Sequence, residues 1–162
     1  MQYTIALANE PRAVTGGQKL YYSTWHPDDG NSMFAAFAKG LLLQGQQAHL
    51  VTRRAAVTTM RANPGVYRPW FLVNSMSQYL AVMSRPGTRG DNITLKALCE
   101  HYSVSVYLLD FDQGRMKWSH YGDSQQARII FYLYAGPGYC YQNLLLDSQI
   151  RFRRDQVCTS KS

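Results

Sequence analysis

Cysteine is scarce in this chain of 162 residues: there are three, Cys99, Cys140 and Cys158, and none stands in a Cys-x-x-Cys pair. So small and unpaired a set excludes a disulfide framework and a thiolate metal site, and it points to a reducing, cytoplasmic or other intracellular compartment. Long apolar runs are also lacking. No stretch reaches the roughly eighteen residues of a membrane span, so no membrane partner is expected. Met1-Gln2-Tyr3-Thr4 has neither the basic start nor the apolar core of a secretory signal. Internal repeats and low-complexity segments are absent. Acidic residues are few, 10 Asp and Glu against 17 Lys and Arg, for a net charge of +7.

What is present suits one compact domain. With 46% hydrophobic and 13% aromatic residues the chain can bury a sizeable core. We expect a single domain over residues 1–162, its core over about 22–146, followed by a basic C-terminal segment, 147–162. The basic residues gather at Arg53, Arg54, Arg61 and Arg68 and again at Arg151, Arg153, Arg154 and Lys161. A polyanion such as nucleic acid is a natural partner for that charge through Arg53, Arg54, Arg151, Arg153 and Arg154. A solvated basic face accounts for it too, because no zinc finger or RNA-recognition motif accompanies it.

The order of elements follows from periodicity and breakers. Residues 3–8 read as a short strand, and 11–18 as a loop because of Pro11 and Gly16-Gly17. Phe34, Phe37 and Leu41 recur at helical spacing from Ser32 to about residue 43, with Gly45 as the stop. Further helices are expected over 48–60, ended by Asn63-Pro64-Gly65, over 70–82 and over 92–102. Strands follow over 104–110, 116–121 after the Asp112-Gln113-Gly114 turn, 129–134 and 141–146. Tyr107, Tyr132 and Tyr134 lie in apolar strands, where aromatic residues pack a pleated face. Helices first and strands afterwards imply an α+β domain, with helices packed on a small, mostly antiparallel sheet.

The segment Asp29-Gly30-Asn31-Ser32-Met33-Phe34 carries the chemistry. Gly30 and Asn31 permit a sharp turn that delivers Ser32 to the start of a helix, where a helix N-terminus stabilises an anion. That setting suits a thiolate nucleophile. A serine there needs a strong neighbouring base, or serves simply as a helix cap.

This segment resembles the signature of the ovarian tumour (OTU) family of cysteine proteases, most of them deubiquitinases with a papain-like fold: Asp-Gly-Asn-Cys, an apolar and an aromatic residue, then a helix. Ser32 stands at the nucleophile position. A second block, Tyr79-Leu80-Ala81-Val82-Met83 and then Gly90-Asp91-Asn92-Ile93-Thr94-Leu95-Lys96-Ala97-Leu98, is similar to the family's following turn and helix, with Arg89 in place of a Trp. A third, Ile129-Ile130-Phe131-Tyr132-Leu133-Tyr134 and Gly136-Pro137-Gly138-Tyr139-Cys140-Tyr141, occupies the place of the last strands, where the family reads Gly-x-His-Tyr-Asp or Gly-x-His-Tyr-Asn. The resemblance implies that Gly138, with Tyr139, stands at the histidine's position and Cys140 at that of its acidic or amide partner.

Activation of Ser32 requires a base within hydrogen-bond reach. Of the four histidines, His120 has the most suggestive neighbours, Ser119-His120-Tyr121-Gly122-Asp123, although it falls one strand before the family's histidine. His26, six residues before Ser32, is another candidate, or an exposed residue before Pro27. His49 begins a helix, and His101 ends one, where a cation complements the dipole.

Three readings follow. In the leading one the resemblance implies a degenerate relative without catalysis, a pseudoenzyme that binds ubiquitin or another protein in the former substrate groove. In the second it implies an active deubiquitinase, using Ser32 or seen with cysteine replaced by serine there. In the third the chain is a basic component of a viral or cellular nucleoprotein assembly, such as a virion. No cofactor or metal is expected.

Overall fold

The computed structural model describes residues 4–5, 20–22, 26–72 and 75–146. The loop expected over 11–18, the basic segment 147–162 and Cys158 lie outside the described residues.

The chain begins with strands β1 (Thr4–Ile5) and β2 (Leu20–Tyr22). Helices α1 (Ser32–Gly40), α2 (Ala48–Ala62), α3 (Pro64–Tyr67), α4 (Met76–Met83) and α5 (Asn92–Tyr102) come next. Strands β3 (Val104–Asp112), β4 (Arg115–Tyr121), β5 (Ile129–Ala135) and β6 (Tyr141–Leu146) are the last of the described elements. The described strands form one sheet in the order β1-β2-β6-β5-β3-β4. Neighbours pair antiparallel except β3 and β5, which run parallel, Val104 beside Ile129. The architecture is therefore α+β on a mostly antiparallel sheet, as expected.

Helix α1 is the piece that carries the turn onto the sheet. Phe34 and Phe37 are fully buried, and burial of each such ring contributes roughly 1.5–3 kcal/mol. Phe37 meets Phe131 of β5 edge to face at 5.0 Å. Gly40 is the reason the helix can lie so close, since a Cβ there would fall 2.4 Å from the Phe131 ring. On its other side α1 packs against α2, whose Thr52 hydroxyl donates to the Phe34 carbonyl at 2.8 Å.

Strand β2 adds to the expected elements, α2 and β3 run two residues further and β4 and β5 one residue more, and three larger differences concern the helices. Helix α1 stops at Gly40, short of residue 43, because the Leu43 and Leu42 amides close back on the Ala38 and Lys39 carbonyls, with Leu42 left-handed at φ 62°. The helix expected from 70 begins only at Met76: a 3₁₀ turn spans Arg68–Trp70, and Phe71 is extended at φ −120°, ψ 153°. After the Asn63 break the chain makes the short helix α3 rather than a simple turn. Helix α5 begins and ends as expected, its start fixed by a reciprocal cap between Asp91 and Thr94 and its end by Ser103, left-handed at φ 54°.

Candidate functional site

Three segments meet at Ser32. The first is the turn itself. The Asp29 carboxylate accepts the Asn31 amide at 2.9 Å, a bond that holds this carboxyl below its ordinary pKa. Gly30 adopts φ 82°, and a Cβ there would lie 1.7 Å from the Gly87 carbonyl oxygen, so only glycine fits. The Asn31 carbonyl opens α1 by accepting the Ala35 amide. Its side-chain oxygen turns away from the helix to accept the Gly87 amide at 2.7 Å and the Arg53 guanidinium at 2.8 Å. Ser32 is buried, the first residue of α1, and its hydroxyl oxygen accepts the Tyr141 amide at 3.0 Å.

Arg53 overturns its place in the basic surface. It is 2% exposed, and its guanidinium donates to the carbonyls of Met83 at 3.0 Å and Gly30 at 3.2 Å while lying 4.1 Å above the Phe34 ring. Burial lowers its pKa, and the nearby Asp29 charge works against that. Arg53, Ala56, Val57 and Met60 fall at the spacing of the buried helix face, a signal present in the sequence but masked by the charge. Arg54, Arg61 and Arg68 are exposed as expected, whereas Arg151, Arg153 and Arg154 lie outside the described residues.

The second segment, residues 84–91, supplies Gly87 and Arg89. Arg89 forks across the site, pairing with Asp28 at 2.6 Å and donating its other nitrogen to the Gly138 carbonyl. It thus ties the nucleophile turn to the third segment, residues 136–141. There Gly138 has φ 71°, and Tyr139, at φ 58°, is exposed. The residue that touches Ser32 is Tyr141, three positions past Gly138. Cys140 beside it donates its thiol to the His26 carbonyl at 3.4 Å. Behind this loop lies a cleft of about 630 Å³ bordered by Asp110, Phe111, Lys117, Tyr134, Gly138 and Tyr139.

Two of the histidines are engaged away from the serine. His120 is on β4, opposite Tyr107, and its Nε2 is hydrogen-bonded to the buried Ser105 hydroxyl. Strand β4 is separated from β6 by β5 and β3, three strand spacings or about 14 Å. His101 Nδ1 bonds Thr59 at 2.9 Å. His26 is half-buried beside Cys140, and burial lowers its pKa, Lys39 adding to the effect and Asp29 opposing it. Among the described residues no hydrogen bond joins a histidine ring to Ser32. The turn thus brings together Asp29, Gly30, Asn31 and Ser32, with Gly138 joined through Arg89, and leaves His120 apart. Sequence reasoning missed Arg53 and Arg89 as the two braces of the turn.

This fold has recognised counterparts. The OTU-like cysteine protease family matches residues 27–144, so the chain belongs to that family. A curated relative, the OVARIAN TUMOR DOMAIN-containing deubiquitinating enzyme 10 of Arabidopsis thaliana, is 35% identical over 107 residues, which make up 66% of this chain and 30% of that protein. Among solved structures the OTUD1 OTU domain superposes with a TM-score of 0.68 at 16% identity, over 78% of this chain and 85% of that one. An OTU domain in complex with ubiquitin gives 0.62 at 18% identity, over 81% and 72%. At such identities the structural likeness is one of fold. Among the described residues no helix is long and apolar enough to cross a membrane.

Proposed function

We propose that this OTU domain has no hydrolytic activity and holds ubiquitin, or another protein, over the former catalytic turn. The observation that carries the reading is the bond from the Tyr141 amide to Ser32. It supports a register in which Tyr141 is matched with the tyrosine of the Gly-x-His-Tyr-Asn pattern and Gly138 with its glycine. Cys140 then takes the histidine's position and Gln142 the amide's, two places on from the register the sequence alone suggested. Positions 140 and 142 share a strand face, so a side chain at 142 is placed to orient one at 140. A thiol is a poor proton shuttle near neutral pH where an imidazole is a good one. In this register serine, the weaker nucleophile, is matched with the weaker base.

The partner is suggested by relatives. A related OTU domain has been solved with ubiquitin bound, and the cleft beside Gly138 and Tyr139 leaves room for an extended chain. Titration of labelled protein with monoubiquitin, alongside hydrolysis of a fluorogenic ubiquitin conjugate, tests the proposal. Saturable shifts around residues 29–32 and 136–141 without turnover are the expected result. Turnover abolished by Ser32→Ala would overturn it. One observation favours that second, hydrolytic reading: His26 lies next to Cys140, and its lowered pKa keeps the ring neutral. In that case His26→Gln would abolish turnover as well.

A further inference from the structure

On the side of α2 that faces the end of α4 lies a pocket of about 340 Å³. Arg53, Arg54 and Arg61 contribute to its wall together with apolar Leu50, Val57 and Pro86, and none of the described residues lining it is acidic. Arg53, buried between this pocket and the turn, turns its terminal nitrogens toward Met83, Gly30 and Asn31. Among the described residues its guanidinium bonds only neutral acceptors, the Met83 and Gly30 carbonyls, the Met83 sulfur and the Asn31 amide oxygen. Its buried Nε has no hydrogen-bond partner among the described residues. A buried donor left unpaired, on a cation that Asp29 supports electrostatically but to which no carboxylate among the described residues is bonded, is an arrangement that an oxyanion would improve.

Arg54 and Arg61 stand two helical turns apart on the same side of α2, and both are exposed. Both line the pocket, and their side chains are long and adaptable. Guanidinium forks match phosphate oxygens two at a time. Three of them around one depression suit a dianion better than a single carboxylate. The apolar wall suits the carbon stem that carries such a group. An extended nucleic-acid backbone would instead need an open basic track.

We propose that this pocket binds a phosphate monoester on an apolar stem, as on a phosphorylated side chain, and that Arg53 connects the ligand to the nucleophile turn. The guanidinium that would receive the ligand already holds Gly30 and Asn31, and Asn31 in turn holds the Gly87 amide. Occupancy is therefore felt at Ser32's own turn without any ligand entering the catalytic groove. The proposal stands whether or not the domain hydrolyses ubiquitin conjugates.

The test is a titration of nitrogen-labelled protein with phenyl phosphate, following the Arg53 Nε–H and the backbone amides. The expected result is a saturable downfield shift of Arg53 Nε–H, accompanied by shifts at Gly87 and Asn31. Arg54→Gln and Arg61→Gln change exposed residues, leave the fold intact and should each weaken binding about tenfold, the loss of one charge-assisted hydrogen bond. A phosphopeptide binding more tightly than phenyl phosphate, and than its unphosphorylated form, assigns the phosphate to a protein partner; equal affinity assigns it to a small molecule, and either supports the site. No saturable shift, or a shift unchanged in both variants, overturns the proposal. So does binding of a single-stranded oligonucleotide alone, with shifts spread over Arg68 and the outer face of α2.

Discussion

The Ser32 hydroxyl and the Tyr141 amide are 3.0 Å apart, and this single bond sets which residue of the last loop stands opposite the nucleophile turn. The amide belongs to Tyr141, which supports the proposed register with Cys140 at the histidine's position, while the Gly138 carbonyl is tied to the turn through Arg89 and Asp28.

That register makes a gain-of-function prediction. Ser32→Cys alone should give no measurable cleavage of a ubiquitin-linked reporter, since a general base contributes roughly 10²–10⁴-fold. Ser32→Cys with Cys140→His should produce turnover, whereas Ser32→Cys with Gly138→His should not. Equal rates for the two double variants in a reporter assay would sink the register.

Gly30 has no tolerance for a side chain. Gly30→Ala forces a methyl group into the Gly87 carbonyl at a left-handed φ, and we expect a loss of about 2–4 kcal/mol in urea unfolding. Unchanged stability would mean that the two turns do not pack as described.

At the other end of α1 the opposite holds. Leu42 is left-handed and 60% exposed at a position where helices usually place glycine. Leu42→Gly should raise stability by about 0.5–1 kcal/mol, the relieved strain outweighing the greater freedom of the unfolded chain. A thermal melt that falls would refute it.

His26 gives a pH dependence with a definite sign. Its folded pKa is lowered, chiefly by burial, so the unfolded chain binds more protons than the native one as pH falls past the ordinary histidine value of about 6.5. The stability associated with its neutral form is complete above that value and is lost as pH drops toward the folded pKa. Melting temperatures of wild type and His26→Gln, compared between neutral and mildly acid pH, should converge on the acid side. Parallel curves would contradict the shift.

What the sequence made legible depends on how local the signal was. The start of helix α5 could be read because Asp91 and Thr94 cap it within one turn, and β6 because Cys140 and Tyr141 follow the Gly136-Pro137-Gly138 break. The end of α1 could not, because a leucine took the left-handed place and Gly45 gave a louder but later stop. The start of α4 was obscured because apolar Phe71 and Leu72 continue the helical pattern after Pro69 while the backbone is already extended. Arg53 was misplaced since its charge argued for solvent, and only the cavity between α2, α4 and the turn shows why it is buried. The parallel pairing of β3 with β5 involves segments whose patterns are equally compatible with a hairpin, so tertiary packing decides it.

The bond between Ser32 and Tyr141 also has a temporal meaning. It spans 109 residues of chain, and β6, which supplies it, must lie between β5 and β2 before the turn meets its partner. Loop closure of that length is slow compared with the formation of α1 or α5. A chain still emerging from the ribosome can hold the Asp29–Ser32 turn as a local motif long before anything stands opposite it. The groove comes into being only when the last strand docks, so whatever binds there recognises the finished domain and not its precursor.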